Sequence, residues 1–213
     1  MEAIFAKVQR HQISAELIIV DDNSPDGTGE IAESLKCSYQ VRVIHRSGKL
    51  GLATAVLEGI SAARHDLIAV MDADLSHPPS LVPQMVEAVQ TKGYDLVIAS
   101  RYVPGGEMVH WPLKRKAMSR IACLLARPLT PIKDATSGFF MMKGSVIEGT
   151  ALSPLGFKIC LEIIVRGNYK SFLEMPYSFT DRKAGESKLG FNEVIQYLRQ
   201  LYFLYWDKIT RRV

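Results

Sequence analysis

The sequence predicts an α/β protein, a mostly parallel sheet flanked by helices in a single domain. Three observations carry this. Short apolar runs rich in β-branched residues alternate with helix-period segments along the first hundred residues. Two of those runs, AELIIV at 15–20 and DLIAVM at 66–71, stop at acids: Asp21-Asp22 and Asp72-Ala73-Asp74. The length, 213 residues with 47% hydrophobic, suits one sizeable core.

In order, 15–20 reads as a buried strand, 27–35 as the start of a helix, 41–45 as a strand and 51–63 as a helix. Residues 66–71 are a third strand. Residues 81–91 are a helix that tolerates Pro83 in its first turn, and 95–99 (DLVIA) are a fourth strand. After Ser100 the rhythm changes. Residues 101–112 form a Pro/Gly-containing loop, and 114–127 has helical spacing with Met118, Ile121 and Leu125 on one side. A strand at 138–143, a helix at 156–166 and a strand at 172–177 follow. A polar loop at 181–190 leads to a last helix at 192–209, where Val194, Ile195, Leu198, Leu201, Tyr202 and Tyr205 step by three and four. Residues 1–10 look like a helix tail, with Ile4, Phe5 and Val8 on one face. Such a sheet normally opens with a strand, so the first strand is expected to be missing from this sequence.

The net charge is +4, from 26 basic and 22 acidic residues, too modest to imply nucleic acid. Cys37, Cys123 and Cys160 are odd in number, far apart and without metal-ligand spacing, which suits free thiols in a reducing compartment. No signal peptide is visible, since residues 1–10 lack a contiguous apolar core, and there is no run of ~18 apolar residues that would span a bilayer. A GxGxxG turn after a strand is absent, which argues against a nicotinamide-binding oxidoreductase.

In open α/β sheets ligands sit outside the carboxyl ends of the strands. Alternate residues of an extended chain point to the same side, so Asp72 and Asp74 can both face one site. Two carboxylates so close repel unless a cation neutralises them. Mg²⁺ or Mn²⁺, its shell completed by substrate phosphates, fits that chemistry, and a solvated turn is the plainer alternative. DNSPDGT at 22–28 is rich in turn formers. It reads either as a turn capped by Asp26 or Thr28, or as a carboxylate site for a ribose or base edge.

These residues carry a resemblance. DDNSPDGT at 21–28, GLATA at 51–55, MDADLSHPP at 71–79, SRY at 100–102, TSGF at 136–139 and DRKAGESKLG at 181–190 resemble the dolichol-phosphate (polyprenyl-phosphate) mannosyltransferases. These belong to the inverting GT-A glycosyltransferases of family 2. The resemblance implies a GT-A fold, a GDP-mannose donor, a divalent cation (Mg²⁺ or Mn²⁺) and a polyprenyl monophosphate acceptor. It implies that residues 1–100 form the nucleotide-sugar half and 101–213 the acceptor half. Asp22 and Asp26 would lie near the nucleoside, and Asp72 and Asp74 would bind metal and diphosphate. Arg101, Arg115, Arg120 and Arg182 would line the phosphates, with Asp74, Arg101 and Arg182 closest to the chemistry. Ser187 and Lys188 would sit on a loop closing over the site. Family members begin with a strand carrying a PTYNE-like motif, which is absent here. A polyprenyl-phosphate glucosyltransferase using UDP-glucose fits the same motifs, and an inactive nucleotide-binding module is a third reading.

A phosphate monoester has a second pKa of ~6 and needs no strong base to act as nucleophile. The absence of a Ser-His-Asp or Cys-His pattern agrees with that. Arg101 and Arg182 also read as plain ion-pair partners, the latter with Asp181 or Glu186, and Lys188 as solvated loop. Glu162, inside the apolar run KICLEIIV, either touches the site or pairs with Arg166. His77 is the histidine nearest the proposed chemistry. Residues 110–133 hold six Lys/Arg and no acid, with Trp111, Met118, Ile121, Leu124 and Leu125 interspersed. That pattern suits peripheral contact with the cytoplasmic face of a membrane, and core packing is the alternative. The C-terminal LYFLYWDKITRR reads both ways too. The family implies small membrane partner subunits as well.

Overall fold

A computed structural model describes residues 1–153, 156, 158–180 and 190–210. Helix α1 (Glu2–Arg10) precedes strand β1 (Leu17–Asp21), then α2 (Thr28–Ser34), β2 (Val41–His45), α3 (Leu52–Ala62) and β3 (Leu67–Val70). Next come α4 (Val82–Gln90), β4 (Leu96–Ser100), β5 (Glu107–Val109), α5 (Leu113–Ala126) and β6 (Phe140–Lys143). Helix α6 (Ile159–Arg166), β7 (Phe172–Pro176), β8 (Ser178–Thr180) and α7 (Phe191–Thr210) complete the order.

The largest sheet runs β3-β6-β4-β7, and β1 pairs with β2 in parallel. Side chains of β4 alternate between two cores, as a pleated strand requires. Leu96 and Ile98 join Phe140 and Met142 against α6 and α7, with Ala53 from α3. Val97 and Ala99 join Phe139 and Met141 against Phe5 and Val8 of α1 and Met85, Val86 and Val89 of α4. Helices therefore cover both faces, as the alternating pattern predicts. All of β4 is buried, whereas β1 and β3 are mostly half-buried. Among the described strands β1 pairs only with β2, and β3 only with β6.

One strand departs from the parallel rule. β4 and β7 run parallel, but β6 runs against both β3 and β4. Composition does not encode strand direction, and this direction has a consequence. Phe140, at the start of β6, pairs with Val70, at the end of β3. The residues just before β6, Thr136–Phe139, are thereby carried to the end of β3 where Asp72 and Asp74 lie. The loop expected at 101–112 contains β5, which pairs in parallel with β8. Both are three residues long, too short to show a period.

Helix α7 buries Tyr197, Gln200, Leu201 and Leu204, a three- and four-residue step, against the larger core. Its docking sets a prediction. Leu204 is fully buried and Leu198 is 50% exposed. Leu204→Ala should cost about 2–5 kcal/mol of stability, and Leu198→Ala under about 0.5 kcal/mol, read from urea unfolding midpoints.

Candidate active site

The end of β1 carries the first acids. Asp21 is buried and its carboxylate accepts the Ser24 N–H, which closes the turn. Asp22 is held from outside that turn. Nη1 of the buried Arg46 donates to Asp22 Oδ1 at 2.5 Å, while Nη2 donates to Thr54 Oγ1 at 2.6 Å at the start of α3. Asp26 accepts both the N–H and the hydroxyl of Thr28, at 3.1 and 2.6 Å, and these bonds lower its pKa. Gly27, with φ +76°, supplies the left-handed step into α2. Asp26 is thus the turn brace that one of the two sequence readings describes. Asp22 is the carboxylate fixed by a distant cation.

β3 ends at Val70, so Asp72 and Asp74 stand beyond it in a turn. The alternation of an extended strand therefore does not orient them; the turn does, and Leu75 sits in it at φ +63°. Oδ1 of the exposed Asp74 accepts the Ser76 N–H at 3.0 Å and its hydroxyl at 2.5 Å. The Asp72 N–H donates to His77 Nδ1 at 2.9 Å, and the Asp72 carboxylate lies 3.8 Å from His77 Nε2. His77 is 1% exposed, and burial pushes its pKa down to about 4, so the ring is neutral at pH 7. Among the described residues no three His, Cys, Asp or Glu side chains gather into a metal cluster.

Behind this turn lies a fixed cation. Arg101, just past β4, donates from Nε and Nη2 to Asp134 Oδ2 and Oδ1 at 2.8 and 2.7 Å, and its N–H reaches Asp134 Oδ2 at 2.9 Å. Asp134 is fully buried. Burial favours loss of the Arg101 charge, yet Asp134 outweighs it and holds the guanidinium above its ordinary range. Glu174 of β7 accepts the N–H groups of Lys133 and Asp134, at 2.9 and 3.0 Å, and so anchors the loop that carries the pair. Arg101 is therefore a buried ion pair, where the sequence offers a phosphate ligand or a surface pair.

Arg101 and Arg115 meet at one indole. Their guanidinium carbons lie 5.5 and 3.8 Å from the Trp111 ring centroid. Arg120 lines a cleft of about 380 Å³ with Tyr102, Cys123, Leu124, Arg127 and Lys133. Arg182, Ser187 and Lys188 lie outside the described residues. Glu162 is decided in favour of its helix neighbour: its Oε1 lies 3.0 Å from Arg166 Nε and accepts the Ser153 N–H at 2.8 Å.

Three residues of the site are not singled out by the sequence. Asp134 and Arg46 are single charged residues in polar segments, with no pattern to mark them. Lys158 donates to the Thr136 carbonyl at 3.1 Å. Burial lowers its pKa to about 8, with Arg101 adding to the effect. Its sequence setting, GFKIC, gives no sign of a site.

The α5 and α7 surfaces leave a broad apolar face. Leu113, Ile121, Leu124 and Leu125 of α5 are exposed, as are Ile195, Leu198, Tyr202, Trp206 and Ile209 of α7. The Tyr197 and Tyr205 hydroxyls donate to the carbonyls of Ala122 and Leu125 and tie the two helices together. Among the described residues no helix is long and apolar enough to cross a membrane.

Residues 5–149 match the family model described as Glycosyl transferase family 2. The protein named dolichol-phosphate mannosyltransferase in Pyrococcus furiosus is 42% identical across 100% of this chain, which spans 62% of that relative's length. Its namesake in Saccharomyces cerevisiae is 40% identical, covering 89% of this chain and 74% of its own. Among solved structures, glucosyl-3-phosphoglycerate synthase from Mycobacterium tuberculosis, in complex with Mn²⁺, uridine-diphosphate and phosphoglyceric acid, matches with TM-score 0.65 at 18% identity. That match covers 97% of this chain and 72% of the other. Mannosyl-3-phosphoglycerate synthase from Rubrobacter xylanophilus matches with TM-score 0.58 at 18% identity, over 99% and 67% of the two chains. At such identities the likeness is one of fold.

The Arg101–Asp134 pair yields a prediction. Asp134→Ala leaves a buried guanidinium without its carboxylate and should cost about 3–5 kcal/mol, measured by chemical denaturation. Asp134→Asn, which keeps the shape and one acceptor oxygen, should cost less.

Proposed function

The chain belongs to glycosyl transferase family 2, with the GT-A fold, and from that premise we propose that it moves a mannosyl group from GDP-mannose to a polyprenyl (dolichyl) monophosphate. The anomeric carbon inverts in a single in-line displacement. The observation that carries this reading is the turn after β3. It presents two carboxylates, Asp72 partly open and Asp74 exposed, braced from below by His77 and Ser76.

The donor set suits Mg²⁺ or Mn²⁺. Both side chains offer hard oxygen ligands, and the two bonds from Ser76 fall on Asp74 Oδ1. His77 Nδ1 already accepts the Asp72 N–H, so that nitrogen is engaged by the protein. Two protein carboxylates are few, which fits a cation whose shell is completed by substrate phosphates. When bound, the cation neutralises the diphosphate as it leaves.

The chain's own groups have separate tasks in this proposal. Asp22, immobilised by Arg46, accepts from the nucleoside at the end of β1, within the donor half at 1–100. Arg101 and Lys158 supply positive charge behind the phosphates, and Arg115, stacked on Trp111, faces the acceptor. The acceptor dianion needs no general base, so the residues act by placing and neutralising two anions. Arg120 borders the acceptor half, and Arg182, Ser187 and Lys188 complete it. The exposed apolar residues of α5 and α7, among the Lys/Arg of 110–133, rest on the cytoplasmic face of a membrane, where the lipid tail stays. Free Cys37, Cys123 and Cys160 support a reducing compartment. Small membrane-spanning partner subunits belong to the same proposal.

Transfer of radiolabelled sugar to a polyprenyl phosphate tests the reading. Mannose should be transferred from GDP-mannose in the presence of Mg²⁺ or Mn²⁺, and chelation should abolish it. Transfer from UDP-glucose alone would overturn the mannosyl assignment. Asp74→Asn should lower turnover by ~10²-fold or more while unfolding within about 0.5 kcal/mol of wild type. Undiminished turnover would remove Asp74 from the metal site.

A further inference from the structure

Two separated motifs, DADLSH at 72–77 and TSGF at 136–139, meet around one imidazole. His77 is buried, and the proposed transfer gives its ring no chemical step of its own. Its ring stacks on Phe139, with centroids 5.2 Å apart and planes at 22°, and meets Tyr177 and Phe179 edge-on at 5.8 and 5.7 Å. Three aromatic contacts leave the ring no freedom to rotate about its own axis. Its nitrogens are therefore aimed, and both face Asp72. Nδ1 accepts the Asp72 N–H at 2.9 Å. Because Nδ1 accepts, the proton of the neutral ring is on Nε2, and Nε2 lies 3.8 Å from Asp72 Oδ2.

The fourth wall is backbone. A Cβ built on Gly138 would come 3.3 Å from His77 Cε1 and 3.8 Å from both Asp72 carboxylate oxygens. Glycine at 138 keeps that side of the pair open, and the antiparallel course of β6 brings it there. The left-handed Leu75 turns the chain back so that residue 77 reaches residue 72.

We propose that His77 is a positioning residue that sets the direction of the Asp72 carboxylate toward its cation, through the bond from the Asp72 N–H to Nδ1. The TSGF segment is the socket for that ring. This rests on the reading of Asp72 and Asp74 as cation ligands, and it assigns to His77 the outer-shell role that fixes a ligand's geometry.

The test is Mn²⁺ affinity of the full chain in the presence of GDP, with free Mn²⁺ read by electron paramagnetic resonance. His77→Phe keeps an aromatic ring for the socket and deletes both nitrogens. Its Mn²⁺ affinity should fall by roughly 10–100-fold, with the melting temperature and metal-free GDP affinity near wild type. His77→Asn places an amide oxygen where Nδ1 stood and should recover most of the loss. His77→Gln reaches the Nε2 position without an acceptor for the Asp72 N–H. It should behave like His77→Phe, and it serves as the test if the phenylalanine variant does not fold. A folded His77→Phe or His77→Gln that binds Mn²⁺ as tightly as wild type overturns the proposal. Wild-type protein that binds no Mn²⁺ with GDP instead overturns the cation reading itself.

Discussion

Two negative charges at the end of one strand are the constraint around which this molecule is arranged. Unit charges of like sign 4 Å apart near a protein surface repel by about 4 kcal/mol at an effective dielectric of ~20. A fold keeps such a pair only by bracing it from behind and leaving its front to a counter-charge. Here the bracing is visible: Ser76 on Asp74, His77 on Asp72, and the socket of Phe139, Tyr177 and Phe179 under His77. The antiparallel insertion of β6 between β3 and β4 makes that socket possible, because it delivers Thr136–Phe139 to the same end of the sheet.

Positive charge is distributed by the same logic. Arg46 and Arg101 are both largely buried, and each is committed to a carboxylate of its own, Asp22 and Asp134. Buried ion pairs of this kind add little net stability over apolar packing, since desolvation offsets the attraction. What they supply is fixed geometry. The Arg101 guanidinium is locked by Asp134 and faced by Tyr102, Trp111 and Phe179, so the protein alone fixes its position. Lys158, buried and bonded to the Thr136 carbonyl, belongs to the same preset field.

Much of the fold was legible because burial imposes periods on sequence. The apolar run of β4 and the Phe5 and Val8 face of α1 mark the cores they enter, whereas in α7 the expected face is displaced: Val194, Ile195, Leu198 and Tyr202 are exposed, and Tyr197, Gln200, Leu201 and Leu204 are buried. Strand direction was not legible, since a parallel and an antiparallel β6 would share the composition FMMK. At the site, Asp72 and Asp74 stood out because two acids follow an apolar run, but the turn that orients them did not, since composition does not show that the strand stops at Val70. Asp134 and Arg46 were not, because their partners lie 33 and 24 residues away and each looks like an ordinary surface charge. Arg101 was noticed for its motif, yet its engagement with Asp134 depends on the loop that Glu174 anchors, a contact made across 40 residues. The exposed apolar residues of α5 were visible as a basic and apolar mixture, and the structure leaves Ile121, Leu124 and Leu125 facing outward.

The most direct measurement of the central claim is paramagnetic broadening in the ¹⁵N-labelled chain. With GDP present and Mn²⁺ added in substoichiometric steps, the amide signals of Asp72 to His77 and of Gly138 should disappear first. Sharp signals at 72–77 and 138, with broadening confined to other acidic residues or absent throughout, would contradict it.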